Sequence, residues 1–177
     1  MERNQPLIGW LNDAYAMERS IIQVLENHTR DAKDHPDLQA RLQQHLEETR
    51  GHAEQVKGCV ERLGGNTSAI KTGMATVMGT VQGMSTALAR DELVKNALHD
   101  YATEYFEMAS YKSLIAASQD IGDQETVNVC QQILQDEESM AAFLDQQLPI
   151  ITIEIFHALS TPPPGAEAAG AEAGPIA

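Results

Sequence analysis

Four glutamates stand in or beside positions where an apolar residue is expected. Glu18, Glu48, Glu104 and Glu137 each belong to a run whose apolar residues recur at alternating three- and four-residue steps. Carboxylates gathered in a dry interior repel one another unless they are protonated or neutralised by a cation. The chemistry open to such a set is metal binding. Two further residues join the candidate ligands. Glu107 follows Glu104 by three residues and His52 follows Glu48 by four, spacings that return to one side of a helix. Oxygen ligands beside an imidazole suit first-row ions. The expected occupants are therefore first-row metal ions such as iron or manganese, with zinc as an alternative. Glu47, Glu54 and Glu138 read as surface charge, with Glu138 replacing Glu137 if that helix is rotated. His28, His45 and His99 read as ordinary helix histidines, and Tyr15, Tyr101, Tyr105 and Tyr111 as aromatic packing.

The elements that must position these residues are four amphipathic helices, expected over 6–30, 36–63 and 91–118 and from the SQDIGD turn to residue 148. Proline at the second helix start, Gly64-Gly65 after its end and Pro149 after the fourth supply the boundaries, and Pro149 is expected to end or kink its helix. The second stripe reads Leu38, Leu42, His45, Thr49, His52, Val56, Cys59, Leu63, with Glu48 on its flank. Short connections make the first two helices one antiparallel hairpin and the last two another. In a hairpin, residues at one level are equidistant from the turn. Glu18 and Glu48 have their midpoint at 33, inside the first turn, and Glu104 and Glu137 at 120.5, inside the second. The four carboxylates thus sit about 22 and about 25 Å from their turns at 1.5 Å rise per residue, nearly at one level.

Composition narrows the function classes. The 177 residues carry 26 acidic and 12 basic side chains, a formal net charge of −14. Nucleic acid and anionic membrane surfaces would repel such a chain, so neither is an expected partner. The uncharged stretch between Lys71 and Arg90 is rich in Gly, Thr, Ser and Gln, too polar for a membrane span. Cys59 and Cys130 fall inside apolar patterns and form no metal or disulfide motif. The opening MERNQPLIGW lacks a signal-peptide pattern, which makes a reducing cytoplasm the expected compartment.

The blocks WLNDAYAMERSI, HLEETRGHAEQV, EYFEMASY and LQDEES, around the four glutamates, resemble the YciE/YciF family of ferritin-like proteins. Two hairpins predict an all-α, ferritin-like antiparallel four-helix bundle over residues 1–159, and the resemblance, which covers roughly residues 5–148, implies the same fold. A long crossover between the second and third helices, itself carrying a short helix within 70–88, fits that arrangement. The resemblance further implies a carboxylate-bridged two-metal centre, two ions with iron foremost and Glu48 and Glu104 as the expected bridges, a homodimer and a stress-related bacterial role. The EYFE pair is also similar to that of rubrerythrins, which reduce peroxide at a di-iron site. The expected activity is redox chemistry with peroxide or dioxygen, or ferroxidase activity; the alternative is a non-catalytic stress scaffold with a structural or vestigial metal site. The sequence departs from the ferritin pattern of Glu-x-x-His on two helices: Gly51 follows Glu48 at the third position and Met140 follows Glu137. Residues 160–177, rich in Pro, Ala and Gly, are expected to be a disordered tail.

Overall fold

The computed structural model describes residues 4–67 and 91–161. The described residues form four helices and no strand: α1 (Gln5–Asp31), α2 (Pro36–Arg62), α3 (Glu92–Ile121) and α4 (Gln124–Ser160). The expected crossover helix within 70–88 and nearly all of the expected tail lie outside the described residues.

Boundaries follow local chemistry. Prolines occupy the first turns of α1 and α2, where the missing N–H is not needed. Gly64 after α2 and Gly122 after α3 adopt φ of +82° and +78°, left-handed conformations that favour glycine. Through Gly122 the chain reverses at once into α4, and the Asp123 N–H closes the turn on the Ser118 carbonyl at 2.9 Å.

α1 packs on α2 and α3, and α4 packs on α3 and α2. All four neighbouring pairs run antiparallel: His28 meets Asp100 across α1 and α3, while His35–Glu154 and Arg62–Asp123 tie opposite ends of α2 and α4. α2 and α3 are therefore parallel and diagonal, which is what the long connection between them requires. Leu11, Met17, Leu25, Val56, Ile133 and Leu144 are among the side chains that fill the interior. Each such side chain contributes about 1.5–3 kcal/mol of burial free energy.

One expectation is corrected. α4 does not end at residue 148 but continues through Pro149 to Ser160. Pro149 is exposed, so the carbonyl that loses a helical partner can turn to water, while Ile151 in the following turn is buried and holds the helix to the bundle. The Thr152 hydroxyl donates to the Leu148 carbonyl at 2.7 Å, giving the backbone beside the proline a further partner.

Candidate metal centre

Midway along the bundle the interior turns polar. Glu18 from α1, His45 and His52 from α2, Glu104 and Glu107 from α3, and Glu137 from α4 converge there, each 0–2% exposed. Each occupies the inward stripe of its helix. On α2, His45 and His52 are seven residues apart, two turns on the same face, with buried Thr49 between them.

The donors fall into two groups whose ligand atoms lie within 4.8 Å of one another. One is His45, Glu104, Glu107 and Glu137; the other is Glu18, His52 and Glu137. Glu137 belongs to both. Its Oε2 is 3.4 Å from His45 Nε2 and its Oε1 is 2.9 Å from His52 Nδ1. His45 Nε2 is also 3.1 Å from Glu104 Oε1, and His52 Nδ1 is 3.9 Å from Glu18 Oε2.

The outward nitrogen of each imidazole is held by a carboxylate. Glu48 Oε2 lies 3.1 Å from His45 Nδ1, and Asp136 Oδ2 lies 3.2 Å from His52 Nε2. Arg41 and Gln44 fix Glu48 in turn, at 3.0 and 2.7 Å. Carboxylates in this position set the tautomer and aim the free nitrogen of a ligating imidazole. The Tyr111 hydroxyl, fully buried, donates to Glu18 Oε1 and leaves Oε2 facing the cluster.

Burial dominates the electrostatics. It pushes Glu18 up to about 8, with Glu137 adding to the rise and His52 opposing it. Glu104 is likewise raised to about 8 by burial, against the pull of His45. Glu107 is driven well above the carboxylate range by burial and by Glu137, Glu18 and Glu104. Burial works against the His45 cation, yet Glu104, Glu48 and Glu137 outweigh it and carry the imidazole to about 10. Glu48 is lowered to about 2, chiefly by its hydrogen bond with His45. Protons thus hold in check a charge excess that a metal ion would neutralise instead.

The donors present fit such an ion. Eight buried atoms make no aligned hydrogen bond: Glu18 Oε2, His45 Nε2, His52 Nδ1, Glu104 Oε2, both oxygens of Glu107 and both of Glu137. Buried polar atoms ordinarily find partners, and eight in one place are the pattern a bound cation would satisfy. Nitrogen and carboxylate oxygen together are a donor set for first-row ions.

The chain belongs to the DUF892 family. That family is described as a domain of unknown function, and its profile matches residues 3–155. A protein from Xanthomonas campestris is similar in structure, with TM-score 0.77, 29% identity, and coverage of 91% of this chain and 100% of its own. The Escherichia coli stress protein YciF gives TM-score 0.69 at 21% identity over 85% of this chain and 96% of its own. The bacterioferritin of Desulfovibrio desulfuricans, described with a diiron site, gives TM-score 0.70 at 21% identity over 85% and 82%. This DUF892 chain is thus all-α and ferritin-like, with buried carboxylate and histidine clusters able to hold metal. No helix among its described residues is long and apolar enough to cross a membrane.

Of the residues singled out in the sequence, Glu18, His52, Glu104, Glu107 and Glu137 come together. Glu48 does not join them: it is 23% exposed, at the expected level but turned to the flank, where it holds His45 from outside. His45, read as an ordinary histidine, is among the inner donors. Its position in the α2 stripe, in line with His52, was the signal that could have found it. Asp136 was missed because nothing but the fold brings it to His52. Among the tyrosines, Tyr111 reaches the centre, Tyr15 is packed in the core, and Tyr101 turns away to Tyr105 and Asp145, at 3.3 and 3.1 Å.

Proposed function

We propose that the protein is a di-metal carboxylate protein, with iron as its resident metal, acting on peroxide or dioxygen in a stress response. The observation that carries this reading is Glu137, which belongs to both ligand groups and presents one oxygen towards each imidazole. His45, Glu104 and Glu107 would hold one ion, His52 and Glu18 the other, and Glu137 would bridge them. A ferrous pair held there would supply the two electrons that, with two protons, reduce one hydrogen peroxide to two waters. The chain's own part is positional. Glu48 and Asp136 orient the imidazoles, Tyr111 fixes the Glu18 carboxylate, and the surrounding apolar layers exclude bulk water.

The test is anaerobic loading of the full chain with ferrous iron, followed by iron analysis and peroxide consumption. Two ions per chain and turnover that is lost in Glu18→Ala/Glu104→Ala support the reading; no bound iron after loading overturns it. A second reading, a helical scaffold with a structural metal, is favoured by the near-complete burial of all six inner donors, since a catalytic metal needs an open position. Two bound ions without peroxide consumption would select it. A homodimer and cytoplasmic residence belong to the same proposal. Exposed Ile150, Ile153 and Phe156 towards the end of α4 support an interface with a second copy, and the free thiols Cys59 and Cys130 are compatible with a reducing compartment.

A further inference from the structure

A second polar cluster lies apart from the centre, towards the turn between α1 and α2. It comprises His28 of α1 with His99 and Asp100 of α3, one ligand atom from each lying within 4.8 Å of the others. Asp100 is buried, and its Oδ1 lies 2.7 Å from His28 Nδ1 and 3.5 Å from His99 Nδ1. The two rings stand edge to face with centroids 5.6 Å apart. A tetrahedral ion with ligand bonds near 2.1 Å spaces its donors by about 3.4 Å, and these distances bracket that value.

An ion pair explains only half of the cluster. His28 is the close hydrogen-bonded partner of Asp100, with His99 at the longer ion-pair distance from the same oxygen. His99 is then left over, and its Nδ1 is buried without a hydrogen bond although the carboxylate is beside it. A buried imidazole nitrogen facing an already engaged carboxylate is the donor a cation would use. Asp31 and Glu92 add negative charge around His28, which favours a cation further.

The geometry points to a mononuclear site for a divalent transition ion at His28, His99 and Asp100, separate from the central pair. Two imidazoles and one carboxylate suit zinc, iron or cobalt rather than calcium or magnesium. Three protein ligands leave coordination to water, so the ion there should be exchangeable. The site shares no residue with the central groups, although Asp100 is only one helical turn, about 6 Å, from Glu104. It stands whether or not the redox reading holds.

Zinc is the probe. In the full chain carrying Glu104→Gln/Glu137→Gln, which disables both central groups, one equivalent of zinc should still bind. Adding His99→Gln to that chain should weaken this binding by at least the roughly tenfold that even an outer-sphere substitution costs. Zinc affinities that agree within about twofold would overturn the assignment. A measurement on the unsubstituted chain guards against misfolding of the variants. The imidazole NMR signals of both His28 and His99 should shift as zinc is added, and signals that stay in place at zinc saturation would equally overturn it.

Discussion

Two layers of the same bundle are built on opposite terms. In the apolar layers, residues such as Leu11, Val56, Ile133 and Leu144 are buried with nothing left unsatisfied. In the middle layer, six ionisable side chains are buried as deeply, and eight of their ligand atoms lack an aligned hydrogen bond. The apolar layers stabilise the fold by themselves. The polar layer costs stability until its charge is neutralised, which is the mark of a region kept for function rather than for folding.

The contrast can be broken or sharpened by experiment. The largest effect on stability belongs to the apolar side. Leu144→Ala should destabilise the protein by about 2–5 kcal/mol, by the same amount in metal-free and metal-loaded protein, as read by denaturant unfolding. In the middle layer the sign should depend on metal. Glu137→Gln should leave metal-free protein as stable as the unsubstituted chain or more so, while abolishing the stabilisation that added iron confers; calorimetry with and without iron reads both. If the substitution costs the metal-free protein as much as Leu144→Ala, the two layers do not differ.

Next in size is the response to pH. Glu18 and Glu104 titrate near 8 in the folded protein against about 4.5 unfolded, and His45 near 10 against about 6.5. All three folded values are raised, so the folded state holds protons that the unfolded state releases. Their contribution is complete below about pH 4.5 and is lost as pH rises towards 8 and then 10. The melting temperature of metal-free protein should therefore fall between pH 5 and 9. Because metal displaces those protons, the rise in melting temperature on adding iron anaerobically should be larger at pH 8 than at pH 6. A metal-free melting temperature that climbs over this range contradicts the account. The smallest effect is Glu48→Gln, which leaves the inner donors in place but loosens His45. Iron affinity should drop by roughly 10-fold, as read by anaerobic iron titration.

The fold was open to reading because helical periodicity and short turns are local. The first three helices were placed to within a few residues from their stripes and punctuation. A proline can end a helix or kink it, and α4 runs on past residue 148 because an exposed Pro149 followed by buried Ile151 tolerates the lost bond. The centre was open in part. Midpoint arithmetic fixes height along a helix but not rotation about it, so Glu48, on the flank of its stripe and at the level of the centre, reads as an inner ligand although it holds His45 from outside. His45 stood in the α2 stripe throughout, yet a histidine in a core stripe looks the same whether it packs or ligates. Asp136 and the pairing of His28 with Asp100 depend on helix neighbours distant in sequence, and no pattern within one helix announces them.

The most direct test of the central claim is anomalous diffraction at the iron and manganese edges from crystals loaded with iron. Two peaks, one on each side of the Glu137 carboxylate and each beside one imidazole of α2, are the predicted result. No anomalous density among these six side chains, with their carboxylates joined instead by ordered water, would contradict it.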